Sequence, residues 1–134
     1  MKKIEKKTKQ KTRTFEDLQV WQKGRILRRN ISDLVKSFPK EEKYKLKDQL
    51  IRASRSVTAN IAEGYGRFHY QENIQFYRQA RGSLFELIDH LTIAVDEHYI
   101  KNDLFGDIKD TILEIIRMLN GYIKYLKTNK GDND

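Results

Sequence analysis

Residues 56–67, "SVTANIAEGYGR", gather an amide, a carboxylate, two closely spaced glycines and a guanidinium in one short run. Glycines beside a basic residue suggest a loop that cradles phosphate. A P-loop requires G-x-x-x-x-G-K-[ST], and a dinucleotide loop requires G-x-G-x-x-G after a strand. The stretch "EGYGRFHY" has neither spacing, and a helical pattern precedes it. The glycines therefore read as a helix end. Gly64 is expected just past the last turn in the left-handed conformation, with Gly66 in the reversal that follows. Glu63 falls at the negative end of the same helix, where the dipole disfavours a carboxylate. Arg67, or Arg78 or Arg81 of the next helix, is expected to offset it through a charge-assisted pair. Asn60, near the apolar seam, is expected to bond neighbouring backbone groups. A ligand site built on Asn60 and Glu63 is the alternative.

The other candidates for chemistry are sparse. A carboxylate-bridged metal bundle needs Glu-x-x-His on two helices. The residues three before His69, His90 and His98 are Gly66, Leu87 and Val95, so that spacing never occurs. Glu86 lies one turn before His90, which reads as a surface ion pair. The chain has no cysteine, which excludes disulfides and thiolate metal sites. Ser54, Ser56 and Ser83 fall mid-helix without an evident base, and neither G-x-S-x-G nor H-E-x-x-H is present. No catalytic residue, metal site or cofactor is expected, and the chain does not read as an enzyme.

What remains is positive charge. The net charge is +8 over 134 residues. Seven basic groups against Glu5 fall in residues 1–13, a segment without apolar periodicity that reads as a disordered basic tail. On the first helix Arg25, Arg29 and Lys36 lie opposite the apolar seam. On the second, Lys45, Arg52 and Arg55 also point away from the core. Sequential helices would merge these rows into one patch suited to phosphate contacts with RNA or DNA, without base reading. Ordinary solvated faces are the alternative.

These groups must be carried by helices. Helix 1 begins near "TFEDLQVW", with Thr14 and Asp17 as a variant capping box. Val20, Gly24, Leu27, Ile31, Leu34 and Phe38 form one seam at roughly 100° per residue, and Pro39 closes it. Helix 2 spans about 41–63 with Leu46, Leu50, Ala53, Val57 and Ile61 inward. A second stripe, Ile51, Ser54, Thr58 and Ala62, is small enough to admit a close neighbour. Helix 3 starts near Tyr70, and Phe76, Phe85, Ile88 and Val95 widen its apolar stripe. Helix 4 starts where Asn102 or Asp103 can cap, and Ile112, Ile116 and Ile123 broaden its face. The pattern is all-α: an antiparallel up-down four-helix bundle over 14–128, with 129–134 a disordered C-terminal end. Stripes this broad leave apolar surface for self-association. No apolar run approaches the roughly 20 residues that cross a bilayer, so a cytoplasmic protein without membrane contact is expected.

"FEDLQVWQKG", "ANIAEGYGR" and "FYRQARGSLFELIDHLTIA", in that order, resemble the 23S ribosomal RNA intervening-sequence protein family, also called four-helix bundle proteins. The likeness covers about residues 15–125. It implies a left-handed bundle assembled as a ring-like homopentamer with a positively charged surface, encoded in bacterial genomes. A related branch, the accessory variability determinants of retroelements, binds reverse transcriptase and nucleic acid. That implies a possible protein partner of this kind and makes a recruiting scaffold the alternative to nucleic-acid binding. Trp21, Asn60, Glu63, Gly64, Arg67, Gly82 and Glu86 match the family motifs and are read as fold and assembly residues. Thr58 stands where many members carry a proline, which removes the basis for a proline bend in helix 2.

Overall fold

The computed structural model describes residues 14–129, so the tail expected at 1–13 and residues 130–134 of the end expected at 129–134 lie outside the described residues, while Asn129 belongs to the last helix. Among the described residues the structure is all-helical, with four long helices and no strand. They are α1 (Gln19–Leu34), α2 (Leu46–Tyr65), α3 (Tyr70–Asp96) and α4 (Asn102–Asn129). Each packs on the next in sequence, and α4 packs on α1.

Helix starts follow local hydrogen bonding more closely than apolar spacing. Thr14 does act as a cap, accepting from the Glu16 amide at 3.1 Å, but what it caps is the 3-10 turn Phe15–Asp17. The helix proper begins only at Gln19. Helix 2 likewise begins at Leu46 rather than near 41. A 3-10 turn occupies Lys40–Glu42, and the Lys45 backbone at φ −122°, ψ −105° breaks continuity. Glu42 then caps α2 from outside, accepting the Leu46 amide at 3.2 Å. The last helix begins at Asn102, so Asp103 lies within its first turn rather than before it, and there it accepts the Leu104 amide at 2.8 Å.

The inward seams of α1, α2 and α3 are those the spacing predicts, with one shift on α1. On α4 the expected seam of Leu104, Ile108, Thr111, Ile115, Leu119, Tyr122 and Leu126 is only partly inward, with Leu104 exposed and, of these, Ile115 and Leu119 alone fully enclosed. Val20, Gly24, Leu27 and Ile31 are buried, but Val35, four residues after Ile31, and not Leu34 continues the core, and the 3-10 turn Val35–Ser37 brings Phe38 into line three residues later. Leu50, Val57, Ile61, Leu84, Leu87, Leu91, Ile112, Ile115 and Leu119 are fully enclosed. Each such side chain contributes roughly 1.5–3 kcal/mol of burial. Ile112, Ile116 and Ile123, expected to broaden the α4 face, are absorbed by the chain's own core. The apolar surface left over is narrower than the pattern suggests: Ile26, Phe85, Ile93, Leu104 and Tyr125 stay exposed on the helices.

Small residues set the helix separations. A Cβ on Gly24 would meet the Thr58 methyl at 3.1 Å, so the small stripe of α2 does admit a close neighbour, which is α1. Gly64 corrects the expectation placed on it. No glycine has positive φ among the described residues, and Gly64 lies inside α2, one residue before its end. Its Cβ would lie 2.8 Å from the Tyr77 ring, so the missing side chain lets α3 approach. The left-handed residue is His98 instead, at φ 64°. There the Tyr99 amide bonds the Ala94 carbonyl at 2.8 Å and the His98 amide bonds Val95 at 2.9 Å, the Schellman pattern that ends α3.

Each neighbouring pair of helices also carries a polar link. Arg28 to Thr58 joins α1 and α2 at 2.7 Å, and Ser56 to Ser83 joins α2 and α3 at 2.8 Å. Arg81 to Asn120 joins α3 and α4 at 2.7 Å, and Lys23 to Glu114 joins α1 and α4 at 3.3 Å.

Candidate nucleic-acid interface

The six basic residues expected from the sequence are all exposed on α1, α2 and their connection, but they are not equivalent. Lys36 is paired with Asp33 at 3.1 Å and Arg52 with Asp48 at 3.0 Å. Lys45 lies close enough to Glu42 to help hold that carboxyl below its usual range. Arg25, Arg29 and Arg55 have no carboxylate in ion-pair reach among the described residues.

Trp21 organises the first of these. Its ring is 7% exposed, and Phe15 meets it edge-on at 5.1 Å. The guanidiniums of Arg25 and Arg28 lie 5.8 and 5.7 Å from its centre, within cation–π range. Arg28 is not among the six expected residues, although residues 21, 25 and 28 are spaced four and three apart and therefore share a helix face. Its Nη1 donates to Thr58 Oγ1, whose hydroxyl donates to the Arg55 carbonyl at 3.2 Å. A cleft of 400 Å³ opens here between α1 and α2, with Arg28, Arg55 and Thr58 as its polar groups and Phe15, Trp21 and two alanines as its apolar wall.

The other motif residues, Gly82 apart, make contacts within the chain. Glu63 accepts from Arg67 Nη2 at 2.6 Å, the first of the three partners considered, and Arg67 also lies 4.7 Å over the Phe76 ring. Asn60 donates to the Ser56 carbonyl at 2.9 Å and to its hydroxyl at 3.0 Å, the local bonding expected of it. Glu86 and His90 form the anticipated pair at 3.3 Å, while the His90 Nδ1 is buried without a partner. Gly82 is exposed, and a Cβ placed on it would have open space around it. Asn73, not singled out by the sequence, closes the α2–α3 turn: its amide donates to the Gly64 carbonyl and, at 3.0 Å, to that of Arg67. Only a buried asparagine in a first turn could have signalled it.

Three further groups have perturbed chemistry. The Tyr99 hydroxyl and the Leu46 amide both stabilise the Glu42 carboxylate and lower its pKa. Tyr99 in turn is pushed up to about 12, chiefly by that hydrogen bond. Burial, with Tyr122 and Tyr65 nearby, raises Tyr77 to about 12. None of the three forms part of a nucleophile–base arrangement. Among the described residues no group of three or more metal-ligating side chains occurs, and no helix is long and apolar enough to cross a membrane.

A crystal structure of a protein of unknown function from the S23 ribosomal protein family of Bacteroides thetaiotaomicron VPI-5482 shares this fold. Its TM-score is 0.72 at 23% identity, covering 78% of this chain and 98% of that one. No curated protein matches. The family model described as 23S rRNA-intervening sequence protein matches residues 16–121. With most of the helical body inside that match, the chain belongs to the 23S rRNA-intervening sequence protein family.

Proposed function

We propose that the chain is a non-enzymatic, oligomeric nucleic-acid-binding protein, an antiparallel, left-handed up-down bundle that presents the basic faces of α1 and α2 to RNA or DNA. The observation that carries this is the set of exposed arginines, Arg25, Arg29 and Arg55, left without carboxylate partners among the described residues on two adjoining helices. Arginines on a rigid helix face suit backbone phosphates, which fix position without reading sequence. Residues 1–13 add seven positive charges of their own. The family description, with its reference to ribosomal RNA, agrees with such a ligand. Self-association as a homopentamer, the assembly its family resemblance implies, is supported by the exposed Ile26, Phe85, Leu104 and Tyr125, and it multiplies weak phosphate contacts into avidity. A bacterial cytoplasmic setting fits this role.

Filter binding of the full chain to RNA and duplex DNA across a salt series tests the reading. Affinity should fall steeply with salt, because bound phosphates release condensed counterions. Binding that is flat with salt, or undetectable, overturns it. Light scattering should report a mass of several 16.0 kDa chains. A single-chain mass at micromolar concentration removes the avidity.

A second reading, a scaffold that recruits a protein partner such as a reverse transcriptase, draws on a groove of 460 Å³ between α1 and α4. Leu27, Leu34, Leu104 and Ile108 line it. Salt-independent capture of such a partner without RNA retention favours this reading.

A further inference from the structure

Arg28 is half-buried, and a charge withdrawn from water needs a counter-charge or a full set of hydrogen bonds. A guanidinium has five N–H donors. Among the described residues Arg28 uses one, to Thr58, and has no carboxylate partner. Arg55 enters the same cleft from α2, and no acidic residue lines it. The contrast with Lys23, Lys36 and Arg52 is direct, since each of those has its carboxylate.

We propose that this cleft is a discrete phosphate site, in which one backbone phosphodiester of the bound nucleic acid seats between Arg28 of α1 and Arg55 of α2. The proposal rests on the nucleic-acid reading above and gives it an address. Three features favour a phosphate. Its oxygens form a tetrahedron and can bridge guanidiniums reaching in from two helices, whereas a carboxylate offers two oxygens in one plane. Arg28 is already ordered by Thr58 on one side and the Trp21 ring on the other, so little side-chain freedom is lost on binding. The Trp21 ring, although it lines the cleft, is largely enclosed, which leaves little face on which a base could stack. The site therefore takes backbone and is indifferent to base identity.

The test compares the full chain with R28Q/R55Q, with R55Q alone, and with R117Q, an exposed α4 arginine outside the cleft. A uridine 20-mer RNA and inorganic phosphate are the probes. In R28Q/R55Q, RNA affinity should fall by about tenfold or more, as expected for losing charge-assisted hydrogen bonds. The log–log salt slope should shrink by roughly 0.7, the change for the one single-strand phosphate contact the cleft holds. R117Q should match the wild type. Phosphate stabilises most proteins generally, so the thermal readout is a difference. The rise in Tm over chloride at equal ionic strength should be larger in wild type and R117Q than in either cleft variant. If R28Q/R55Q does not fold, R55Q alone should lose about half the slope change. RNA bound equally by all variants overturns the cleft while leaving the basic-face reading intact. No RNA bound by the wild type removes both. A lower assembly mass in R55Q overturns the proposal differently, by assigning the cleft to a carboxylate of a second copy.

Discussion

The Tyr99 hydroxyl donates to the Glu42 carboxylate at 2.7 Å, joining the α3–α4 connection to the α1–α2 connection. The Phe38 ring packs 5.1 Å from that of Tyr99, so the contact has an apolar side as well. One carboxylate thus ties two connections together and caps α2.

Removing the hydroxyl should therefore change acid behaviour. Glu42 is held below its ordinary value in the folded chain, so its contribution to stability is present above the unfolded pKa and disappears as pH falls through the folded one. In Tyr99→Phe, an NMR titration should show the Glu42 carboxyl moving back up, and the acid-unfolding midpoint should move to higher pH. Tyr99 works in the opposite sense. Raised to about 12, it stabilises the fold below its unfolded value, and that contribution is lost as pH climbs through the folded value. An unchanged Glu42 titration in the phenylalanine variant would contradict the coupling.

Two helical glycines should respond oppositely to alanine. At Gly64 a methyl meets the Tyr77 ring at 2.8 Å, and overpacking of this kind costs about 1–3 kcal/mol. At Gly82 nothing lies within 4 Å, so Gly82→Ala should gain up to about 1 kcal/mol of helix propensity. Urea denaturation of both variants measures this. A destabilised Gly82→Ala means that another copy covers that face in solution.

His98 holds the left-handed position that ends α3, a conformation which strains any residue with a Cβ. Gly relieves that strain but has a more flexible unfolded chain. His98→Gly should stabilise the protein by about 0.5–1 kcal/mol in denaturant melts. A destabilised variant would mean that the imidazole makes a contact outweighing its backbone strain.

The helices are readable because their seams repeat at the helical period, and burial enforces that period wherever two helices meet. Gly64 misleads because glycine serves two purposes, relaxing a backbone or making room for a neighbour. Only the position of Tyr77, thirteen residues away, distinguishes them. Counting charge finds the basic faces, but it does not tell Arg52, already neutralised by Asp48, from Arg55, which is not. Arg28 escapes notice because its significance depends on Thr58, thirty residues distant on another helix. Periodicity reports which face of a helix is inward, whereas the candidate site is made of side chains paired across faces.

The four polar links between neighbouring helices have a consequence for uniqueness. Sliding one helix by a single turn, about 5.4 Å, would still bury grease against grease. It would also separate Ser56 from Ser83 and Arg28 from Thr58, stranding a hydroxyl or a guanidinium in poorly hydrated surroundings. Misaligned quartets are thereby disfavoured even where their oily contacts are as good, and the chain settles on one alignment.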